Sequence, residues 1–138
     1  MADSFPLKIV TPTGVVFEGE AKQVTAVGPL GEFGVLADHI DFITSLMPGL
    51  LRVETGGMLE TWVISGGLAE VKGGAMTVLA SGAQKPASID RADAESEERE
   101  ANERMATISY YDAGYAAAEE ALLLARARAQ AATTSATR

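Results

Sequence analysis

Glycine divides this chain into two unlike parts at Pro86. Thirteen of its fourteen glycines precede that proline, and runs rich in β-branched and aromatic residues lie between them. Such spacing is typical of short strands joined by tight turns. The rest of the chain is rich in alanine, glutamate and arginine, which favour helices. The sequence therefore predicts an α+β fold, with an antiparallel β-sandwich over residues 1–86 followed by an α-helical hairpin over residues 87–138.

The strand-like runs of the first part are too short to be stable in pairs, so we expect them to stack as two sheets in a sandwich or a flattened barrel. They cover residues 5–11, 15–19, 21–27, 34–36, 42–46, 50–54, 59–64, 68–71 and 75–79. Two glycine pairs, Gly56-Gly57 and Gly73-Gly74, lie where two-residue hairpin turns need positive φ. The glycine-rich segment 28–34 lacks the Lys-Ser/Thr that follows a phosphate-binding loop, so we interpret it as a turn.

Two helices are predicted in the second part. The first covers residues 91–108 with Asp90 as its N-cap, and the second covers residues 115–132. The apolar residues of the first helix form a thin stripe of Ala92, Ala101, Met105 and Ile108. Because alanine buries little area, we expect the hairpin to dock weakly on the sandwich, although composition alone also allows a permanently packed hairpin.

Composition and motifs exclude several classes of function. The net charge of −8 argues against binding to a nucleic-acid backbone. With no cysteine and one histidine, the chain offers neither a disulfide framework nor a Cys- or His-rich metal site, and we predict no metal and no cofactor. The sequence has no P-loop, G-x-S-x-G or H-E-x-x-H motif. His39 lies between Asp38 and Asp41 without a nucleophile to activate, so we interpret it as a surface or interface histidine.

The sequence also predicts how the chain relates to membranes. It shows no secretory signal and no stretch of about 18 consecutive apolar residues, the length that spans a bilayer. We therefore expect a soluble protein that reaches a membrane only through protein partners. The first helix carries an acidic run that we interpret as a solvated face, partly balanced by neighbouring arginines. Its members are Glu95, Glu97, Glu98, Glu100 and Glu103.

Four segments carry motifs that can be compared with known families. They are residues 31–39 (GEFGVLADH), 46–52 (LMPGLLR), 64–71 (ISGGLAEV) and 76–80 (MTVLA). They resemble, in the same order, the G-E-x-G-[IV]-L-P-x-H loop, the K-P-G turn, the S-G-G-x-x-E-V hairpin and the T-V-L-A strand of the epsilon subunit of the rotary, F-type ATP synthase. The resemblance covers nearly the whole chain, because an alanine-rich, charged two-helix tail follows in that family as well.

The resemblance implies a noncatalytic subunit of the central stalk. Epsilon subunits grip the gamma subunit and rest on the ring of c subunits, so that proton-driven rotation of the ring reaches the catalytic head. In many bacteria their helical tail extends and restrains ATP hydrolysis. For this chain the resemblance implies gamma, the c-ring and, with the tail extended, the beta subunit as partners. Because no membrane anchor is encoded, we expect a peripheral location on the cytoplasmic side, and the lack of a presequence favours a bacterial inner membrane over a mitochondrial one.

Roles of single residues follow from the resemblance only where the motifs match. Glu32 and His39 match positions near the polar loops of the c-ring, and the alternative is that they are an ordinary turn acid and turn histidine. Four arginines are candidates to meet the acidic loop of the beta subunit: Arg99, Arg104, Arg126 and Arg128. The alternative for Arg126 and Arg128 is that they complement a helix C-terminus.

Two departures from the family pattern have consequences. Ala37 stands where the family usually has proline, which predicts a looser loop before His39.

The segment 89–94 resembles the I/L-D-x-x-R-A nucleotide motif of some members, with Ile89, Asp90 and Ala94 matching and Asp93 replacing the arginine. An anion in place of a cation reverses the Coulomb interaction with a triphosphate, and Arg91 points to a different face of the helix. We therefore predict weak or absent ATP binding.

A second class of function stays open from the sequence, namely a free-standing ligand-binding β-sandwich with a helical appendage. A hydrolase would need catalytic groups that the sequence does not supply. Co-purification with a gamma-type subunit distinguishes the stalk subunit from the free-standing sandwich.

Overall fold

The structure is a computed structural model that describes residues 3–136, with side chains described for residues 3–133. Residues 1, 2, 137 and 138, at the ends of the two predicted parts, lie outside the described residues. Ten strands come first in the described range: β1 (Phe5–Thr11), β2 (Gly14–Ala21), β3 (Gln23–Gly28), β4 (Gly31–Leu36), β5 (Phe42–Leu46), β6 (Gly49–Thr55), β7 (Met58–Ile64), β8 (Gly67–Lys72), β9 (Ala75–Ala80) and β10 (Ala83–Gln84). A 3-10 helix at Pro86–Ser88 then leads to α1 (Arg91–Thr107) and α2 (Tyr115–Ala136).

The strands form two stacked sheets, as the sequence predicts. The first sheet has the order β2-β1-β9-β8-β5 and the second sheet has the order β10-β7-β6-β3-β4. The pairs within them are antiparallel apart from β1 and β9, which run parallel from Leu7 beside Met76 to Val10 beside Leu79. This parallel pair departs from the expected antiparallel arrangement. It is possible because the two strands are far apart in the chain and have the long connection that parallel pairing needs.

The core lies between the two sheets and follows from the alternation of side chains along each strand. In β1, Phe5, Leu7 and Ile9 are buried, whereas Pro6 and Lys8 between them are exposed. The same alternation fully buries further aliphatic side chains, among them Val24, Val35, Leu51, Val53 and Val78. Burying one such side chain contributes about 1.5–3 kcal/mol. The sandwich core is therefore the main source of stability in the chain.

The glycine-rich segment 28–34 is only partly a turn. The chain turns between Gly28 and Gly31, which pair with each other, and β4 then begins at Gly31. Gly34 lies inside β4, an edge strand, where a missing side chain costs less packing than in a central strand. β10 is absent from the sequence prediction, because two residues carry no recognisable periodicity.

The two predicted glycine turns differ in their backbone conformation. Gly73 and Gly74, between β8 and β9, have φ values of 59° and 79°. In the turn between β6 and β7, only Gly57 has a positive φ, of 102°. The expectation of positive φ is thus confirmed for three of these four glycines and is wrong for Gly56.

The helices begin where predicted and end elsewhere. The Asp90 carboxylate caps α1 by accepting a hydrogen bond from the backbone N–H of Asp93 at 2.9 Å. α1 ends at Thr107, one residue before the predicted end. α2 continues to Ala136, beyond the predicted end at Ala132, because alanine, threonine and serine extend a helix that is already nucleated.

The helical hairpin packs on the outer face of the second sheet. In this contact, alanines of α2 meet Leu50 of β6 and Val63 of β7. Ala94 is the buried residue of α1 and belongs to the same cluster, whereas Ala92 is exposed. The predicted apolar stripe is therefore wrong at Ala92, because the pattern of α1 alone does not show which side faces α2. Since the contact consists mainly of alanine, it buries less area per residue than the sandwich core.

Candidate interaction surfaces

Strand register places four apolar side chains in one row across the outer face of the first sheet. Val15 of β2 lies opposite Val10 of β1, and Val10 lies beside Leu79 of β9. Leu79 in turn lies opposite Leu68 of β8. Side chains at paired positions point to the same face of a sheet. These four residues therefore form a continuous strip, which we call the apolar row.

The apolar row is open to solvent. Val15 is 52% exposed and Leu79 is 49% exposed, while Val10 and Leu68 are half-buried. The helical hairpin lies on the other sheet and does not cover the row. Contiguous exposed apolar side chains of this kind make the row a candidate interaction surface.

The neighbouring row on the same face is polar. It contains Lys8 and Glu18, whose Nζ and Oε1 atoms lie 3.8 Å apart, and it continues through Thr77 and Glu70. An apolar centre beside a charged border is the usual anatomy of a protein interface. This surface was not among the sites predicted from the sequence. The signal that could have found it is the presence of valine and leucine at outward positions of alternating strands, where polar residues are expected.

Glu32 lies at the beginning of β4 on the outer face of the second sheet. Its Oε2 is 3.6 Å from Nη1 of Arg52 on β6, and its side chain is 59% exposed. An exposed ion pair of this kind contributes about 0–1 kcal/mol. Because this ion pair is weak, the Glu32 carboxylate can exchange Arg52 for a group of a partner protein. Leu30, in the turn just before β4, is fully exposed beside it in the chain.

His39 lies in the loop between β4 and β5 and is half-buried. Its ring lies against Phe42, with centroids 4.9 Å apart, and Phe42 packs edge-on against Phe33 of β4 at 5.7 Å. Its Nδ1 is 2.8 Å from the carbonyl oxygen of Ile40, to which it donates. Within the described residues, Glu32 and His39 share no contact, since Glu32 and the adjacent Phe33 point to opposite faces of β4.

The four candidate arginines lie in different settings on the helices. Arg99 and Arg104 are exposed on α1, and Arg126 is exposed on α2. Arg128 is half-buried. Arg126 and Arg128 do not complement a helix C-terminus, because α2 continues to Ala136 and has no basic residue in its last described turn.

Arg128 connects three elements of the fold. Its Nε donates to Oε2 of Glu97 on α1 at 3.1 Å, and its Nη1 donates to Oε1 of Gln84 on β10. Its side chain is 20% exposed. Arg128 therefore ties the hairpin to the sandwich and is held away from solvent in this arrangement.

A groove of about 460 Å³ runs between the two helices. Arg104 and Arg128 line it together with Glu97, Glu100 and small apolar residues. The structure thus brings two of the four candidate arginines to one groove and places the other two elsewhere on the helices.

The residues that match the nucleotide motif have structural roles here. Ile89 and Ala94 are buried in the cluster between the helices and the second sheet, and Asp90 is the cap of α1. Asp93 lies in the first turn of α1, where the helix dipole favours a carboxylate. Arg91 donates through Nε to Oε1 of Glu95 at 3.0 Å. Its charge is therefore paired along its own helix.

Residues 3–136 lack three features that would point to other kinds of site. No helix within residues 3–136 is long and apolar enough to cross a membrane. The described Asp, Glu and His side chains form no group of three or more that could hold a metal ion. No charged or polar residue of this range is buried in the core.

Comparison with known proteins finds matches along the sandwich and beyond it. The family model for "ATP synthase, Delta/Epsilon chain, beta-sandwich domain" matches residues 4–86. The ATP synthase epsilon chain of Desulforudis audaxviator (strain MP104C) is 41% identical over 100 residues, which cover 72% of this chain and 73% of that protein. The ATP synthase epsilon chain of Acidithiobacillus ferridurans is 36% identical over 123 residues, which cover 89% of this chain and 86% of that protein.

Two solved structures contain a similar chain. One is the cryo-EM structure of the Euglena gracilis mitochondrial ATP synthase, OSCP/F1/c-ring in rotational state 1, with a TM-score of 0.79, 25% identity and coverage of 100% of this chain and 84% of that one. The other is the central stalk and c-ring of the Tetrahymena thermophila mitochondrial ATP synthase, with a TM-score of 0.63, 16% identity and coverage of 92% and 95%. The second match supports the fold alone. The hypothesis of a free-standing ligand-binding sandwich is not favoured by these matches.

Proposed function

The chain belongs to the delta/epsilon family of ATP synthase subunits, and we propose that it works as an epsilon-type subunit of the central stalk, passing c-ring rotation to the catalytic head. The resemblance that the sequence motifs predict is confirmed by the family match and by relatives named ATP synthase epsilon chain. We assign the contact with the rotor to the sandwich, residues 1–86, and the regulation of ATP hydrolysis to the hairpin, residues 87–138. The observation that carries the proposal is the apolar row on a rigid sheet.

We assign the apolar row to the gamma subunit. Each of its residues lies on a paired strand of a well-packed sandwich, so the row is presented with little conformational entropy left to lose on binding. A contact that carries torque must not slip, and side chains fixed on strands meet that requirement. The adjacent polar row, which includes Lys8 and Glu70, would set the orientation of the partner.

Co-expression with a gamma-type subunit tests this assignment. The two proteins are expected to remain together through stringent washing, because a strand-borne apolar contact dissociates slowly once water is excluded from its centre. A chain that is eluted alone under these conditions contradicts the proposed function.

We assign Glu32 and His39 to the contact with the c-ring. Glu32 offers an exposed carboxylate that is only weakly engaged by Arg52. Since Nδ1 of His39 is occupied by its own loop, Nε2 is the ring nitrogen available to a partner. Ile40, 78% exposed beside His39, adds an apolar contact. Such a mixture of polar and apolar groups suits the polar loops of a ring that moves with the subunit.

We propose that the helical hairpin leaves the second sheet and reaches the beta subunit. The docked contact consists largely of alanine, which gives it a small hydrophobic stabilisation. Leaving the sheet breaks the hydrogen bond from Arg128 to Gln84, and separation of the two helices breaks the bond to Glu97. Arg128 then becomes as accessible as the other three candidate arginines, Arg99, Arg104 and Arg126. The four arginines then carry the charge that an acidic loop of beta would attract, and the extended tail restrains ATP hydrolysis.

The docked state can be measured with a single reporter thiol, because the chain has no cysteine of its own. We expect Ala131→Cys, at a position 1% exposed, to react slowly with a thiol reagent. Adding Arg128→Ala should accelerate the reaction about tenfold, since the lost hydrogen bond from the charged guanidinium to Gln84 contributes about 1.5 kcal/mol to docking.

Arg99→Ala is the matched control for this measurement. Arg99 is also a helical arginine, it is exposed, and its side chain has no hydrogen bond or ion pair within the described residues. Both changes introduce the strongest helix former, so a general effect on helicity would accelerate labelling in both. Equal rates for Arg128→Ala and the parent chain would refute the role of Arg128 in docking.

We also propose that the chain binds ATP weakly or not at all. Asp93 places a negative charge where the nucleotide motif has a positive one, and Arg91 is paired with Glu95. Isothermal titration calorimetry of the full-length chain with ATP should therefore give no saturable heat in the micromolar range. A micromolar dissociation constant would show this prediction to be wrong, and the variant Asp93→Arg indicates whether the missing charge is the reason.

We propose finally that the chain is noncatalytic and works on the cytoplasmic side of a bacterial inner membrane, attached through gamma and the c-ring. The noncatalytic role is supported by the match to the delta/epsilon family and to relatives named ATP synthase epsilon chain. The location is supported by the bacterial relatives. ATP turnover by the purified chain, or binding to protein-free lipid vesicles, would contradict these two statements respectively.

A further inference from the structure

The loop between β4 and β5 begins with a turn whose sequence does not suit its shape. The backbone N–H of His39 donates to the carbonyl oxygen of Leu36 at 3.3 Å, which closes a four-residue turn. Asp38, at the third position of the turn, has a φ of 63°. This is the pattern of a type II turn, which favours proline at the second position and glycine at the third. Here those positions hold Ala37 and Asp38, so the turn gains little rigidity from its own residues.

A side chain at the other end of the loop connects it to the neighbouring hairpin turn of the first sheet, which is remote in the chain but adjacent in space. Oδ1 of Asp41 accepts a hydrogen bond from the backbone N–H of Gly73 at 2.9 Å. Gly73 lies in the two-residue turn between β8 and β9, whose ends Lys72 and Ala75 are paired. That turn is fixed by its hairpin. Asp41 therefore fastens the β4–β5 loop to a rigid point in the first sheet.

The fastened loop has a defined arrangement of groups between its two ends. The His39 ring is held against Phe42 at 4.9 Å, and Nδ1 is bound to the carbonyl oxygen of Ile40 at 2.8 Å. Ile40 itself points to solvent and is 78% exposed. The loop thus presents one imidazole and one aliphatic side chain from a backbone held at the turn and at Asp41.

We propose that Asp41 is the positioning residue of this loop, and that its hydrogen bond to Gly73 supplies the rigidity that proline and glycine would give to the turn. Asp41 acts through His39 and Ile40, which meet the c-ring, and it does not itself need to touch the ring. This inference rests on the proposed function for the contact, but the rigidity of the loop is a property of the isolated chain. The two can therefore be tested separately.

The first test measures backbone hydrogen exchange in the purified full-length chain. Asp41→Ala should accelerate exchange of the hydrogen-bonded amides of Gly73 and His39 by about fivefold, the effect of losing one exposed hydrogen bond. Asp41→Asn, which keeps an oxygen acceptor, should leave both nearly unchanged. Adding Ala37→Pro to Asp41→Ala should restore slow exchange at the His39 amide but not at Gly73. Equal exchange in the parent chain and Asp41→Ala, or acceleration by Asp41→Asn as large as by Asp41→Ala, overturns the proposal.

The second test uses the assembled ATP synthase and the ratio of ion pumping to ATP hydrolysis. Asp41→Ala should lower this ratio, and adding Ala37→Pro should restore it. The double variant still lacks the bond from Asp41 to Gly73, so a restored ratio shows that the rigidity of the loop matters and not the bond itself. Restored loop exchange without a restored ratio refutes positioning by Asp41. Failure of the parent chain to join the complex at all would instead contradict the proposed function, while the exchange result would stand.

Discussion

Leu79→Glu is expected to abolish co-purification with a gamma-type subunit. The substitution places a carboxylate at the centre of the apolar row, next to Val10 and Leu68. On binding, that carboxylate would lose water without gaining a partner, and the affinity should fall by about 100-fold or more. Pull-down under stringent washing, followed by quantitative binding of the two purified proteins, measures the effect.

Leu59→Glu is a closely matched control for this experiment. Leu59 and Leu79 are both 49% exposed leucines on strands of the sandwich, but Leu59 belongs to β7 of the second sheet. Leu59→Glu should bind gamma as the parent chain does. If both variants, or neither, lose binding while their thermal unfolding midpoints stay alike, the apolar row is not the gamma contact.

Deletion of residues 88–138 is expected to raise ATP hydrolysis by the assembled complex. An inhibitory coupling of ordinary strength corresponds to about fivefold or more in rate once it is removed. ATP synthesis should remain, because the sandwich keeps both the apolar row and the loop that carries His39. The measurement is the hydrolysis rate of complexes that contain the shortened chain in the same amount as the parent.

A shorter truncation serves as the control for this deletion. Removing residues 133–138 retains all four candidate arginines and the alanines that meet Leu50 and Val63. It should leave the hydrolysis rate close to that of the parent complex. Unchanged hydrolysis after the long deletion would rule out a braking tail in this protein and would leave the gamma contact intact.

The strands and the start of α1 could be predicted because their signals are local. β1 and β5 have the predicted bounds, Phe5–Thr11 and Phe42–Leu46, since side-chain alternation is visible within a single run. Asp90 is recognisable as a cap from its own chemistry and the acids that follow it. Glu32 and His39 were found through motif resemblance, and their contact with the c-ring stays a prediction.

Other features depend on contacts that no single run contains. The apolar row exists only because β1 and β9 pair in one particular register, which brings Val10 beside Leu79. Arg128 looks like an ordinary helical arginine until α1 and β10 are placed beside it. The bond from Asp41 to Gly73 joins two turns that are remote in the chain. Pairing across the fold, rather than propensity, determines these parts of the candidate sites.

The parallel pairing of β1 with β9 has a mechanical consequence for a chain whose tail is pulled. A pull on the C-terminal end reaches β10 before β9. β10 is held by two residue pairs with β7, whereas β9 has four pairs with β1, from Leu7–Met76 to Val10–Leu79, and is also paired with β8. Such a pull would therefore separate β10 from β7 first and leave β9 paired. β10 would separate and pair again as the helical tail undocks and redocks, while the other strands keep the shape of the sandwich that transmits torque.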